Sequence, residues 1–152
     1  MRKKVYVASP LFSDAEKSFN LLVRDALLAG FDVYLPQVDG MLWADMVADG
    51  VDVEFGGRMV FEEDDRMIRQ CDILLIVLDG RTVDEGAAFE LGLAYGLGKD
   101  CYGIQTDVRR LLPYGNNPMI RYPLTEVFGS LAALEAWAQK AGSRRSRSET
   151  GA

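Results

Sequence analysis

The chain has 152 residues, 49% of them hydrophobic, with 17 Lys and Arg against 23 Asp and Glu and no histidine at all. That length suits one domain, which would bury roughly 68–70% of its unfolded surface. The net charge of −6 argues against a partner held by its phosphate backbone, so no nucleic acid is expected. Without histidine there is no Ser-His-Asp or Cys-His pair, no histidine general base and no histidine-ligated zinc. Cys71 and Cys101 form no CxxC, which speaks against a zinc ribbon or a thioredoxin-like site and fits a reducing cytoplasm. No apolar run reaches the length of a membrane span, and Met1-Arg2-Lys3-Lys4-Val5 leads into a strand-like run rather than a signal peptide. The polar chemistry must then come from carboxylates, hydroxyls and amides, with no metal and no cofactor expected.

In chain order, Val5 to Ser9 reads as a buried strand. Ser13-Asp14-Ala15-Glu16 is a capping-box sequence that opens a helix, and Gly30 closes it. Asp32 to Leu35 is a second strand. The stretch from Gln37 to Gly57 has no clear period and reads as a long loop with a short helix at Trp43 to Val47. Met59 to Gln70 is helical and acidic in its middle. Ile73 to Leu78, a continuous apolar ILLIVL, fits an interior parallel strand covered on both faces. Gly86 to Gly98 is a further helix, Cys101 to Gln105 and Glu126 to Phe128 are further strands, and Leu131 to Lys140 is the last helix. From Gly142 onward the chain is Ser/Arg-rich and is expected to be disordered, leaving residues 1–141 as the folded domain with 14 basic and 22 acidic groups. Strands alternating with helices predict an α/β fold: a single doubly wound, flavodoxin/Rossmann-like, mostly parallel sheet of about five strands with helices on both faces.

Ligands of such sheets bind beyond the carboxyl ends of the strands. Those ends are Ala8-Ser9-Pro10, Pro36-Gln37, Asp79 to Glu85 and Thr106-Asp107. There is no GxxxxGK[ST], and the first turn, Ser9-Pro10-Leu11-Phe12-Ser13, has no glycine, so ATP and dinucleotide cradles are absent. The informative residue is Glu90, the sole charge in GAAFELGLAYGLG. A helix apolar nearly all round is expected to be buried. Glu90 is then a structural carboxylate on a narrow edge, or a functional one on a cleft floor near a helix N-terminus whose dipole keeps it ionised. Asp84 and Glu85 stand just before that helix, where Asp84 also suits an N-cap. Glu62-Glu63-Asp64-Asp65 cannot all face one way, so one of them is free to turn toward the cleft. Paired carboxylates on either side of a glycosidic bond need no histidine, metal or cofactor.

The run Val83-Asp84-Glu85-Gly86-Ala87-Ala88-Phe89-Glu90-Leu91-Gly92-Leu93-Ala94 resembles the D-x-G-x-x-x-E-x-G-x-A signature of nucleoside 2-deoxyribosyltransferases. Tyr6 in the first strand, Asp64 placed 26 residues before Glu90, and Asn117-Pro118-Met119 extend the resemblance from about Val5 to Met119. It implies that Glu90 is a nucleophile toward C1′ of deoxyribose, that Tyr6 aims it, and that Asp64 handles the proton of the base. It further implies that Asp84 and Asn117 hold sugar hydroxyls and that Met119 lines the pocket. Phe12 matches the family's aromatic in the first loop, although Leu11 replaces a Trp seen in some members; Gln37 is the candidate for reading the base. The substrates implied are nucleosides and nucleobases. A homo-oligomer (dimer, tetramer or hexamer) is implied too, with Asn117 and Met119 completing a neighbour's site.

Two other readings stay open at this point. An N-glycosidase of deoxynucleoside 5′-monophosphates would share the nucleophile, but the first loop lacks the Gly and Arg such enzymes use for phosphate. A non-catalytic nucleoside-binding module would share the fold, which does not by itself fix function.

Overall fold

The computed structural model describes residues 2–109, 112 and 115–149. Five strands, β1 (Lys4–Ala8), β2 (Asp32–Tyr34), β3 (Ile73–Val77), β4 (Asp100–Ile104) and β5 (Glu126–Phe128), form one sheet in the order β2-β1-β3-β4-β5, every neighbouring pair parallel. This is the doubly wound α/β fold that the alternation of strands and helices predicts. The chain builds β2 outward from β1, then returns past β1 to build β3, β4 and β5 on the other side. The order reverses between β1 and β3, and a crevice opens there at the carboxyl ends.

Helices α1 (Asp14–Leu28) and α7 (Leu131–Glu149) cover one face; α4 (Val53–Gln70) and α5 (Glu85–Gly96) cover the other. Strand periodicity of two sorts β1 between them: Val5 and Val7 join the core under α1 and α7, while Tyr6 and Ala8 join the core under α4 and α5. The first core closes on an aromatic group of Phe31, Tyr102, Phe128 and Trp137, with Trp137 ring centroids 4.6–5.2 Å from the other three. α1 and α7 approach so closely at Gly30 that an added Cβ would lie 2.0 Å from the Ala138 carbonyl oxygen.

α1 carries the capping box read from the sequence: the Ser13 hydroxyl accepts from Glu16 N, and the Glu16 carboxylate accepts from Ser13 N at 2.8 Å. Three expectations change. The span from Gln37 to Gly57 is mostly helical, holding the end of α2 (Pro36–Asp39), all of α3 (Trp43–Ala48) and the start of α4. α4 begins at Val53, six residues earlier than its apolar period suggests, because the Asp52 carboxylate caps it by accepting from Phe55 N at 2.9 Å. Its glycines survive inside the helix because Trp43 packs against Gly56 and Gly57, where the missing side chains leave room for the indole. α7 continues to Glu149, past the Gly142 boundary, with Ala141 packed on the core and Gly142 close to the Ala29 carbonyl; residues 150–152 of the expected tail lie outside the described residues.

α5 also differs from expectation. It is not buried all round: Ala87, Leu91 and Ala94 face the sheet, whereas Phe89 and Tyr95 are 58% and 60% exposed. Its outer side is apolar and open.

Candidate active site

Tyr6 lies in the middle of β1 with no exposed surface, and its ring points to the side of α4 and α5. Its hydroxyl donates to Glu90 Oε1 at 2.7 Å. Glu90 is the sixth residue of α5, beyond the reach of the helix dipole, which fades after the first turn. Burial therefore outweighs the dipole. It pushes the Glu90 carboxyl up to about 8, opposed by the Tyr6 hydrogen bond and assisted by the charges of Asp64 and Asp84. The carboxyl expected to be held ionised by its helix is instead governed by burial.

Asp64 turns inward from α4, toward the same hydroxyl. Its carboxyl is pushed up to about 6 by burial; Tyr6 favours its charged form and the neighbouring Glu63 opposes it. The phenol has one proton and can serve one carboxylate at a time, and it serves Glu90. Burial holds the Tyr6 phenol far above its ordinary range, with the charges of Glu90 and Asp64 adding to that effect, so it remains a donor.

The acidic run on α4 sorts itself by partner. Asp65 pairs with Arg69 at 2.8 Å and Glu63 with Arg66 at 2.6 Å. Glu62 is exposed and lines a surface groove with Trp43 and Phe61. Asp64 is left as the member that faces the crevice.

Asp84 is the N-cap of α5, its carboxylate accepting from Ala87 N at 2.8 Å. One carboxylate oxygen makes that cap, and the charge still reaches Glu90. The structure thus brings Tyr6, Asp64, Asp84 and Glu90 together.

The remaining candidates stand apart from these four. Phe12 and Met119 are each 79% exposed. Asn117 caps the short α6 (Pro118–Arg121), accepting from Met119 N at 2.9 Å. It also borders a cavity of about 200 Å³ with Thr82 and Val83 beyond the end of β3. Gln37 is engaged at both ends of its amide: Nε2 donates to Lys17 O at 3.0 Å, and Oε1 accepts from Asn20 Nδ2 at 2.8 Å. One Nε2 hydrogen and one Oε1 lone pair remain for a base.

Two site neighbours escape a reading of the sequence. Asn20, fully buried on α1, ties Gln37 to the Pro10 carbonyl at 2.8 Å and so fixes the first loop against α2. Tyr34 ends β2, stacks on Tyr6 with centroids 5.5 Å apart, and hides a hydroxyl that has no partner among the described residues. Strand alternation would have placed Tyr34 on the Tyr6 face once the register of β1 and β2 was known. No group of three or more Cys, Asp or Glu able to hold a metal ion occurs among the described residues.

Fold and site define a doubly wound α/β domain with a tyrosine-linked pair of carboxylates at its switch point. The family model for nucleoside 2-deoxyribosyltransferases matches residues 5–143, and the chain belongs to that family. No curated protein matches the chain. Among solved structures, a conserved protein of Enterococcus faecalis V583 is 24% identical and shares the fold with a TM-score of 0.73, over 92% of this chain and 99% of the other. The 2-deoxyribosyltransferase of Bacillus psychrosaccharolyticus is 26% identical, with a TM-score of 0.66 over 87% of this chain and 90% of its own. The CMP N-glycosidase of Clostridium botulinum, 18% identical with a TM-score of 0.52 over 91% and 97%, shares the fold. Among the described residues, no helix is long and apolar enough to cross a membrane.

Proposed function

We propose that this chain exchanges nucleobases on 2′-deoxynucleosides, passing the deoxyribose through a covalent ester with Glu90. The observation that carries the reading is the 2.7 Å hydrogen bond from Tyr6 to Glu90, with Asp64 beside the same hydroxyl, in a member of this family.

In the first half-reaction a Glu90 oxygen attacks C1′ as the C1′–N bond breaks, and the protonated Asp64 gives its proton to the departing base. In the second, the nitrogen of an incoming base attacks C1′ and passes its proton to Asp64. The ester bond breaks and Glu90 regains its carboxylate. Two displacements at one carbon retain configuration. The first step needs a proton on Asp64 and none on Glu90; the second needs Asp64 unprotonated, to take the proton of the incoming base. Carboxyls at about 6 and about 8 hold one proton between them in that pH window. With Glu90 the higher of the two, that proton rests on Glu90 and must pass to Asp64 before attack; the Tyr6 hydrogen bond, by favouring the charged form of Glu90, eases that transfer.

Asp84 and Asn117 are assigned to the sugar hydroxyls, Met119 and Phe12 to the walls around sugar and base, and Gln37 to the base. The exposure of Met119, Phe89 and Tyr95 supports an assembly in which Asn117 and Met119 complete a neighbour's site. Such covered, apolar surroundings let a base compete with water for the ester. We assign the activity to cytoplasmic salvage of nucleosides, which suits the free thiols of Cys71 and Cys101.

The test is chromatographic: deoxyinosine incubated with and without adenine. Formation of deoxyadenosine supports the transferase. Release of hypoxanthine alone, or cleavage of deoxynucleoside monophosphates in its place, assigns the chain to hydrolysis. No turnover of purine or pyrimidine donors leaves a binding module.

A further inference from the structure

β1 and β2 run side by side with Tyr6 in register with Tyr34, and the two rings stack at 5.5 Å and 22°. Tyr6 uses its hydroxyl on Glu90; that of Tyr34 is buried and has no partner among the described residues. It lies beneath the α2 turn, so close to Gly40 that an added Cβ there would stand 2.7 Å from it. An unpaired buried hydroxyl is costly, and Phe would fill the same space without that cost. The hydroxyl therefore calls for an explanation outside packing.

The charged groups around it narrow the choice. The charges of Asp64, Glu63 and Arg66 on α4 and of Asp39 on α2 act on it. Glu63 is held by Arg66 at 2.6 Å, while Asp39 accepts from Leu35 N at 2.9 Å and pairs with Arg24 at 3.8 Å. Tyr6, stacked against it from β1, is committed to Glu90. Asp64 has only a share in the one Tyr6 proton, which Glu90 takes at 2.7 Å. In the proposed reaction, Asp64 becomes charged when it protonates the departing base, and at that moment it needs a hydrogen bond.

We infer that Tyr34 is a positioning residue for Asp64: its unpartnered hydroxyl turns to the Asp64 carboxylate once that group has given up its proton, and releases it when the incoming base returns one. No proton leaves Tyr34. Burial and the neighbouring carboxylates raise its phenol well above the ordinary range, so it stays a donor throughout. The inference rests on the proposed base exchange, but the Tyr34–Asp64 pairing can be measured without substrate.

The experiment compares the unsubstituted protein with Tyr34→Phe, which keeps the ring stack and deletes the hydroxyl. Three readouts are taken: thermal unfolding, titration of 13C-labelled Asp carboxyls by NMR with Asp64→Asn for assignment, and kcat and KM for deoxyinosine and adenine across pH. We expect Tm to hold or rise, because no bond is lost in the resting protein. The Asp64 midpoint should move up by half a pH unit or more, because its charged form loses a donor. kcat should fall about tenfold with KM little changed. An unmoved midpoint, a moved midpoint with unchanged kcat, or a clear loss of Tm in Tyr34→Phe overturns the inference. Absence of transfer by the unsubstituted protein is instead a failure of the proposed function, and the titration then still supports or overturns the pairing.

Discussion

The two faces of the sheet are built from the same strands to opposite ends. Under α1 and α7, Val5, Val7, Leu75 and Val77 meet Val23, Leu27, Leu134 and Ala138 in a core of apolar side chains. Under α4 and α5, the intervening residues of the same strands bring Tyr6 and Tyr34 beneath helices that carry Asp64 and Glu90. One face gains from every atom it removes from water. The other removes carboxyls from water at a cost, which appears as the raised protonation ranges of Asp64 and Glu90. A five-stranded sheet thus supports its chemistry on one side by packing without compromise on the other.

The contrast can be broken most sharply at Glu90. Glu90→Ala is expected to lower transfer by at least about 10⁴-fold, measured as initial rates of deoxyadenosine formation, because the attacking atom is gone. It should leave the fold intact, since it removes a buried carboxyl whose Tyr6 partner can turn elsewhere. Tyr6→Phe should lower kcat by about 10²-fold while the circular dichroism spectrum is kept.

The pH dependence sharpens the same point. The folded-state carboxyl of Glu90 is raised from 4.5 to about 8 and that of Asp64 from 3.8 to about 6. The folded protein therefore binds protons more tightly than the unfolded chain, and this stabilisation is lost as pH rises through those values. Thermal unfolding scans should show Tm falling by several degrees from pH 5 to pH 8, with Glu90→Gln flattening most of that slope. Transfer should follow a bell with limbs near 6 and 8. A flat rate profile would separate these carboxyls from the reaction.

On the opposite face, the effect should fall on stability alone. Leu134→Ala empties a fully buried site between α7 and the sheet and should cost about 2–5 kcal/mol in denaturant unfolding. Below the transition, its kcat per folded molecule should equal that of the parent. The smallest effect belongs to Asp65→Asn. This neighbour of Asp64 points outward to Arg69, and its loss should leave both Tm and kcat unchanged within error. A large drop in kcat there would exchange the roles of the two aspartates.

Much of this molecule was legible in the chain. Capping by Ser13 and Glu16 and the apolar run of β3 depend on residues near one another in sequence, where period and cap chemistry are enough; Asp84, Glu90 and Asp64 stand out through the resemblance to a family signature. In the span from Gln37 to Gly57 the short helix at Trp43 was legible, but the turn of α2 and the early start of α4 were not: the latter rests on Trp43 packing on Gly56 and Gly57 and on the Asp52 cap, and no apolar period announces it. The bonds that orient Gln37, to Asn20 and Lys17, were likewise not legible, because they depend on α1 lying alongside α2.

By itself, then, the sequence determined the α/β alternation, the exclusion of histidine chemistry and the isolation of Glu90 in an apolar helix. Only the tertiary structure decided which of Glu62, Glu63, Asp64 and Asp65 enters the crevice, that Tyr6 gives its one proton to Glu90, and that Tyr34 waits beside it unpartnered. The physical reason is that these outcomes depend on strand register and burial. Both arise when segments far apart in the chain pack together, and both set the protonation of a carboxyl more strongly than any neighbour in sequence does.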